Sequence, residues 1–186
     1  MGYLRNVNLE IQIKLCLEFL RQGDIIAFPS ETGWQLACDA LDETAVDRLT
    51  KNIGDSSVAI LIASNRDLLQ YVAAPDPRVF DYLDEVTEPV FIEFENGIGL
   101  ASNVLTDDGS VSIRIVHDEF CKHLIKRFGR PLAVADLIGT DDPSSPNPFN
   151  IDPKLQEFSD FIVDNTENLS TFRSAKWIKW KDQSIQ

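Results

Sequence analysis

Short apolar runs alternate with segments of helical periodicity along most of the chain, and this alternation constrains the fold more than any other feature. Runs with the composition of strands read DIIAF, VAILIAS, PVFIEFE, GSVSIRIVH and PLAVADLIG. Helical spacing marks residues 8–21, 43–52, 65–72, 76–86 and 118–128 between them. Strands that alternate with helices predict an α/β fold, with a mixed, twisted sheet and flanking helices.

Several helix ends carry local signals. Asn6 or Asn8 is a suitable N-cap for the first helix, and Asp42 is a suitable N-cap for the second. Gly23 and Gly129 stand where the C-terminus of a helix favours glycine. These signals divide the chain into the same alternating elements as the apolar pattern.

Length and composition limit both the domain count and the partners. A chain of 186 residues favours one domain, here residues 1–186, with a core of its own. Apolar residues make up 44% and charged residues 25%, which is ordinary for a globular protein. The formal net charge of −13 argues against a broad surface that follows nucleic-acid phosphates, since such surfaces need clustered Lys and Arg. A local basic pocket is still compatible with this charge.

The cysteines and the apolar runs indicate the cellular compartment of the protein. Cys16, Cys38 and Cys121 are too far apart for a CxxC metal site, and an odd number argues against a disulfide framework. We therefore expect buried free thiols. The sequence has neither a signal-like leader nor an apolar run of about 18 residues. We expect a soluble, cytoplasmic protein with no membrane partner.

Most familiar catalytic motifs are missing from the sequence. It contains no P-loop, no GxGxxG after a strand, no HExxH and no GxSxG. His117 and His123 lack the carboxylate spacing of a zinc site, so we expect surface or helix-face histidines and no metal centre.

The stretch FPSETGWQLACDA, at residues 28–40, places two hydroxyls and a carboxylate at the end of an apolar run. These are Ser30, Glu31 and Thr32, and Trp34 follows almost at once. A plain surface turn has no use for a bulky aromatic so soon. The stretch is either a polar pocket at a strand end or an irregular turn covered by a large side chain.

Two cations stand out for their positions. Arg114 lies inside an apolar strand, where an unpaired charge is costly unless it reaches a partner, a ligand or solvent. Ile113 and Ile115 should face the core, so Arg114 should point to the opposite side of the sheet. Arg114 is either a ligand-binding residue or a solvent-facing arginine on an edge strand. Lys51 is either a ligand-binding residue or a cation that complements the C-terminus of its helix.

Residues 29–40, PSETGWQLACDA, resemble the Pro-Thr-Glu-Thr-x-Tyr-Gly-Leu-x-x-Asp-Ala signature of the YrdC-like family, which includes the threonylcarbamoyl-AMP synthases. Later segments follow the order of the family: ETAVDRLTK, AILIAS, SVSIRIVHD and GRPLAVA. Ser170-Thr171 resembles the family's Ser-Thr-Val near the end of the chain. The resemblance covers roughly residues 8 to 180, which is nearly the whole chain.

The resemblance implies a fold, a reaction and a site. The fold is a twisted α/β domain with a large open cavity. Active members act as nucleotidyltransferases that join threonine, bicarbonate and ATP into threonylcarbamoyl-AMP, release pyrophosphate and so supply the modification of adenosine in tRNA. Catalytic residues stay unassigned, and Mg²⁺ is implied with ATP if the activity is retained. The resemblance implies these ligand-binding residues: Ser30, Glu31, Thr32, Lys51, Arg114, Ser170 and Thr171.

The chain departs from the family pattern at positions that would bind phosphate. The family's Lys-x-Arg-Pro becomes Lys51-Asn52-Ile53-Gly54, so the lysine is kept and the arginine is lost. The family's Ser-Ala-Asn falls on Asp136-Leu137-Ile138. One charge-assisted hydrogen bond contributes about 1.5–3 kcal/mol, so these changes predict weakened or lost ATP chemistry. Arg114, by contrast, matches the arginine of the family's Ser-Val-x-x-Arg strand.

Three functions remain open on the sequence alone. The protein is a divergent relative of the synthases, a non-catalytic module that binds a small ligand or double-stranded RNA, or a protein-interaction domain with a vestigial cavity. The small ligand would be threonine, a nucleotide or a phosphate-like group, and the RNA partner would be tRNA or a duplex. Basic residues that could serve RNA binding concentrate late in the chain: Lys122, Lys126, Arg127, Arg130, Arg173, Lys176, Lys179 and Lys181. Trp177 and Trp180 could stack on bases or pack against the sheet.

Overall fold

The computed structural model describes residues 2–53, 57–136, 153–164 and 172–180. Within them, one sheet of 8 strands forms the centre of the molecule, in the order β7-β1-β2-β6-β3-β5-β4-β8. The strands are β1 (Ile26–Ser30), β2 (Gly33–Asp39), β3 (Ala59–Ile62), β4 (Val90–Phe94), β5 (Val111–Ile115), β6 (Leu132–Asp136), β7 (Phe161–Ile162) and β8 (Lys176–Lys179).

The sheet is mixed. β1 with β7, β3 with β5, and β4 with β8 pair in parallel, whereas the other neighbours pair antiparallel. β5 lies between β3 and β4, so it is an interior strand. The predicted α/β class with a mixed sheet is confirmed.

Helices cover both faces of the sheet. They are α1 (Gly2–Arg21), α2 (Glu43–Ile53), α3 (Leu68–Tyr71), α4 (Arg78–Glu85), α5 (Glu119–Phe128) and α6 (Pro153–Phe158), with 3₁₀ turns at Asn65–Asp67 and Ser102–Val104. Buried side chains of α1 and α5, such as Cys16 and Leu124, pack in one core, which we call the α1/α5 face. Buried side chains of α2 and α4, such as Val46 and Val79, pack in the other, the α2/α4 face.

The helix-end signals are correct except at the first helix. Asp42 Oδ1 accepts hydrogen bonds from the backbone N–H groups of Thr44 at 2.9 Å and Ala45 at 3.1 Å, so it caps α2 as predicted. Gly129 follows α5 with φ of 75°, in the left-handed conformation that a C-cap glycine adopts readily. The prediction that Asn6 or Asn8 caps the first helix is wrong, because α1 begins at Gly2 and contains both.

Three strands were missed by the sequence pattern: β2, β7 and β8. β2 covers Gly33–Asp39, directly after a two-residue turn from β1. Its last five residues are all buried, so they lack the apolar–polar alternation that identifies a half-exposed strand. The hairpin of β1 and β2 holds the PSET stretch at one end of the sheet.

No described helix combines the length and the apolar character needed to cross a membrane.

All three cysteines are free and buried, as expected. Burial raises the pKa of Cys16 to about 12 and also raises the pKa values of Cys38 and Cys121. We predict that a thiol reagent labels the native protein at least ~100-fold more slowly than the protein in denaturant, because labelling first requires an opening of about 3 kcal/mol or more. The denatured protein should yield three thiols per chain. Fast stoichiometric labelling of the native protein would contradict the buried positions.

Candidate functional site

The PSET stretch forms a tight turn that its own first hydroxyl organises. Ser30 pairs with Gly33 across the hairpin, and Glu31 and Thr32 form the turn between them. Ser30 Oγ donates to the Gly33 carbonyl at 3.1 Å, accepts from the Thr32 N–H at 3.2 Å and lies 3.1 Å from Thr32 Oγ1. Gly33 has φ of +135°, which residues with a Cβ rarely adopt. The turn therefore fixes where the Thr32 hydroxyl lies.

The position of Trp34 explains why a bulky aromatic follows the polar turn so closely. It is partly buried and packs against the core on the α2/α4 face. The next residue, Gln35, points to the opposite side of β2, as alternation in a strand requires. The bulky aromatic therefore anchors the start of β2 on one face, and the polar side chain of Gln35 lies on the other.

Arg114 is the most buried charged residue of this region. It lies on the interior strand β5, is 1% exposed and projects away from the core that contains Ile113. Its Nη1 donates to Thr32 Oγ1 at 2.8 Å, and its Nη2 donates to Gln35 Oε1 at 3.1 Å. The alternative of a solvent-facing arginine on an edge strand is wrong, because neighbouring strands and these acceptors enclose the side chain.

An aromatic stack supports the guanidinium from the next strand. The Arg114 Cζ atom lies 5.0 Å from the centre of the Phe91 ring, within the range of a cation–π contact. Trp177, beside Phe91 on β8, stacks on the same ring with a centroid distance of 4.2 Å and an angle of 12°. Phe91 is 1% exposed, whereas Trp177 is 51% exposed. The stack connects the buried arginine to the surface of the edge strand.

Two carboxylates lie within electrostatic range of Arg114. Burial raises the pKa of Glu31, but His117 and Arg114 outweigh burial, so the net pKa is lowered from its ordinary value. His117 Nδ1 lies 3.8 Å from Glu31 Oε1, beyond hydrogen-bond distance. Burial raises the pKa of Asp118, and the charge of Glu31 adds to that effect. Asp118 Oδ1 also caps α5 by accepting from the Cys121 N–H at 2.8 Å.

Three buried polar atoms of this cluster have no hydrogen-bond partner among the described residues. They are Glu31 Oε1, Asp118 Oδ2 and Arg114 Nε. An unpaired buried polar atom costs about 1–3 kcal/mol, so such atoms need a further partner or a functional reason. We call Glu31, Thr32, Arg114 and Asp118 the arginine site.

Other residues predicted for the site lie elsewhere or outside the description. Lys51 is exposed in the last turn of α2, and the buried residues of that helix pack on the α2/α4 face, opposite the Arg114 side chain. Ser170 and Thr171 lie outside the described residues. Arg173, two positions beyond Thr171, donates its backbone N–H to the Glu31 carbonyl at 2.8 Å. The described chain thus passes beside the turn shortly after those two residues.

The positions that depart from the family pattern can be placed in part. Ile53 packs against the core on the α2/α4 face and carries no charge. Asp136 pairs with Gln35 in the sheet between β6 and β2. Leu137 and Ile138 lie outside the described residues. Among the described residues, no three His, Cys, Asp or Glu side chains form a group that fits a metal ion, so this part of the chain offers no cluster for the implied Mg²⁺.

The sequence pattern missed Gln35, Phe91 and Asp118. Gln35 and Asp118 carried a usable signal: a Gln between buried apolar residues of one strand, and an Asp directly ahead of a helix. Phe91 carried none, because an aromatic residue in an apolar strand is ordinary core composition. Its contact with Arg114 depends on the neighbourhood of β4 and β5, which local sequence does not encode.

Four of the eight late basic residues pair with acids of the same molecule, and Lys181 lies outside the described residues. Arg127 binds Glu10 with two hydrogen bonds of 2.5 and 2.7 Å, and Arg130 binds the buried Asp39 at 2.7 Å. On β8, Lys176 pairs with Glu88 and Lys179 with Glu93. Such pairing reduces the positive potential available to RNA phosphates. Trp180, one of the two aromatics considered for base stacking, packs against Tyr82 with a centroid distance of 5.6 Å.

Comparison with known families gives one match over most of the chain. The sequence model of the family Sua5_yciO_yrdC, whose description reads "Telomere recombination", matches residues 18–174. Among curated relatives, the threonylcarbamoyl-AMP synthase of Pyrococcus abyssi is 29% identical over 143 residues, which are 73% of this chain and 42% of that protein. The synthase of Cellvibrio japonicus is 29% identical over 152 residues, which are 75% of this chain and 76% of that protein. The match thus spans less than half the length of the P. abyssi relative.

Solved structures give the same fold. Escherichia coli YciO has a TM-score of 0.75 at 19% sequence identity. The match covers 92% of this chain and 84% of the YciO chain. P. abyssi Sua5 complexed with L-threonine has a TM-score of 0.68 at 25% identity and covers 82% of this chain and 46% of its own. At its level of identity, the YciO match supports the fold alone.

Proposed function

The chain belongs to the Sua5/YciO/YrdC family and is related to the threonylcarbamoyl-AMP synthases of tRNA modification, and from that premise we propose that it binds a small amino acid at the arginine site while its ATP chemistry is weakened or lost. The observation that carries the proposal is the group of unpaired buried atoms around Arg114. A buried cation beside two carboxylates is the arrangement that a zwitterion satisfies.

The charges of the site favour an amino acid over the other ligand classes. Arg114 Nε offers a donor for a ligand carboxylate, and the free oxygens of Glu31 and Asp118 offer acceptors for an ammonium group. A phosphate or nucleotide phosphate would bring more negative charge toward these two carboxylates, which repel it. Threonine is the ligand named for a related protein of known structure, P. abyssi Sua5.

Loss of ATP chemistry is proposed from the family positions that changed. A triphosphate needs cations where charge builds as pyrophosphate departs. Ile53 stands where the family has an arginine, and its side chain is part of an apolar core. Restoring a cation there would require moving that side chain out of the core. Lys51 alone retains the charge of this motif, on the outer side of α2.

We expect calorimetry to detect no ATP binding at micromolar concentrations, because the lost contacts lower affinity by roughly tenfold for each 1.4 kcal/mol. Adding ATP, threonine and bicarbonate should release no pyrophosphate above background. The C. japonicus relative, assayed in parallel, is the positive control. Micromolar ATP binding together with pyrophosphate release would overturn this part of the proposal.

The amino-acid part needs a separate measurement. Threonine should bind the parent protein weakly, in a titration followed by calorimetry or by chemical shifts, and Glu31→Gln should weaken it further because an ammonium then loses a charged acceptor. The matched control is Glu119→Gln, which alters an exposed carboxylate at the start of α5. Equal binding by all three proteins would show that threonine does not use the arginine site.

The binding of double-stranded RNA is the second function that the family suggests. The ion pairs of Arg127, Arg130, Lys176 and Lys179 count against it, since each of these four side chains already has an acidic partner. A gel-shift titration with a duplex RNA at physiological salt would decide the matter, and we expect no discrete complex at micromolar protein.

A further inference from the structure

A cleft lies on the α2/α4 face of the sheet, opposite the side to which Arg114 points. Its volume is about 390 Å³, which is in the range of pockets that bind small molecules. The floor of the cleft is apolar: Val72 and Phe94 are each 3% exposed, and Trp180 packs against the same core. The cleft opens between the loop ahead of α4 and the turn after β4. We call it the Trp180 cleft, and the proposed function makes no use of it.

The indole of Trp180 has a hydrogen-bond donor that the described chain does not satisfy. Its Nε1 atom is buried and has no hydrogen-bond partner among the described residues. Asp76 also lines the cleft and lies close to the indole, which adds to the larger effect of Arg78 in lowering the pKa of that carboxyl. The Asp76 oxygens accept instead from the side chain and the backbone N–H of Arg78. The indole therefore lacks an acceptor, which a ligand could supply.

The charge at the rim of the cleft is negative. Glu95 lines the cleft, is exposed and forms no hydrogen bond or ion pair with another described residue. Lys179 lies within electrostatic range of Glu95, but its ammonium pairs with Glu93. Asp76, the other carboxylate that lines the cleft, pairs with Arg78. Glu95 therefore favours a cationic group at the rim.

The backbone holds the two walls of the cleft in a fixed shape. Ala74 has φ of 48° and Asn96 has φ of 60°, a left-handed conformation that residues with a Cβ adopt rarely. The walls are joined where the Ala73 N–H donates to the Asn96 carbonyl at 2.9 Å and where Val72 forms a β-bridge with Gly97. A preformed cleft spares a ligand the cost of ordering its walls.

We propose that the Trp180 cleft binds an α-ammonium group that stands next to a carbonyl oxygen and an apolar side chain, as in the amide of an apolar amino acid or the first residue of a peptide. Glu95 attracts the ammonium, Trp180 Nε1 donates to the carbonyl oxygen, and the apolar side chain covers the floor. A carboxylate in place of the amide would meet the charge of Asp76 beside the indole, so a free amino acid fits less well. The cleft is thus distinct from the arginine site in both position and ligand.

An NMR titration of the isotope-labelled protein with L-leucinamide tests the proposal, because the indole N–H resonance reports on Trp180. Trp180→Phe identifies that resonance among the three tryptophans. We expect it to shift with millimolar leucinamide and to require more L-leucine for the same shift. N-acetyl-L-leucinamide lacks the ammonium and should bind about 3-fold more weakly, in keeping with the small contribution of an exposed ion pair.

One pair of variants tests the role of the rim. Glu95→Gln should lower the affinity for leucinamide by about 3-fold and leave that for N-acetyl-leucinamide unchanged. The matched control is Glu85→Gln, which alters an exposed carboxylate at the end of α4, outside the cleft. An unshifted Trp180 resonance, or equal affinity of the parent and Glu95→Gln for leucinamide, would overturn the proposal.

A further pair of probes distinguishes the two sources of the ligand. The amide of the tripeptide Leu-Gly-Gly carries the same ammonium, carbonyl and side chain on a peptide. Binding as tight as that of leucinamide would support a peptide N-terminus as the ligand, and binding of leucinamide alone would support a free amino-acid amide. L-leucine that binds as tightly as leucinamide would overturn the choice of an amide over a carboxylate.

Discussion

Replacing Arg114 by alanine should lower the free energy of unfolding by about 3–5 kcal/mol, because the guanidinium is buried and makes contacts that no other side chain replaces. The change leaves Thr32 and Gln35 without their shared donor and removes the cation from the face of Phe91. It also leaves Glu31 with one fewer positive neighbour. Urea denaturation followed by circular dichroism measures the loss.

Two control variants separate the effect of burying the Arg114 charge from the effect of its planar guanidinium. Arg66→Ala removes an exposed arginine from the 3₁₀ turn ahead of α3, and we expect a change within about 0.5 kcal/mol. Arg114→Lys keeps the charge but not the planar fork, so it should leave the fold intact and lower affinity for a carboxylate ligand by about 1–3 kcal/mol. A loss below about 1 kcal/mol in Arg114→Ala would mean that the guanidinium contributes no more than an exposed arginine.

The order of α1 to α5 and of five strands, β1, β3, β4, β5 and β6, was predictable because each of these elements carries its own local signal. In α2, Ala45, Val46 and Leu49 stand at helical spacing in the sequence, which predicts one apolar face, and all three are buried. Gly129 and Asp42 marked helix ends through backbone requirements that hold whatever the rest of the fold. The direction of Arg114 followed in the same way from the alternation of β5.

The partners of Arg114 could not be predicted, because they depend on strand order. Thr32 and Gln35 lie 82 and 79 residues away in sequence. They approach Arg114 across β6 and β3, which lie between the hairpin and β5 in the sheet. Lys51 lies in the last turn of α2, whose buried residues pack on the opposite face of the sheet from Arg114, and its role in ligand binding stays a prediction. Local sequence identifies a polar residue in a strand, such as Arg114, more readily than it identifies the residues that this side chain contacts.

Phe91 is the second residue whose loss should be severe, because it connects the edge of the sheet to the arginine site. Its ring stacks on Trp177 of the neighbouring strand β8, and it also contacts the guanidinium of Arg114 on the other neighbour, β5. β8 is an edge strand with mostly exposed side chains, so it depends on a few contacts with β4. We expect Phe91→Ala to lower the free energy of unfolding by about 3–5 kcal/mol, as for other large buried aromatics.

The same variant should loosen β8 before the rest of the sheet. Amide hydrogen exchange of residues 176–179 should become at least ~10-fold faster in Phe91→Ala, whereas exchange in the interior strand β3 should follow global stability only. Phe91→Leu is the matched control: it keeps most of the buried volume and loses the π face, so its cost should stay nearer 1–1.5 kcal/mol, roughly the worth of a lost aromatic contact. Trp177→Ala removes the other partner of the stack from an exposed position, and it should speed exchange in β8 with a smaller loss of global stability. If Phe91→Ala instead left β8 as protected as β3, the edge strand would be held by its backbone pairing with β4, and the aromatic stack would not be what joins it to Arg114.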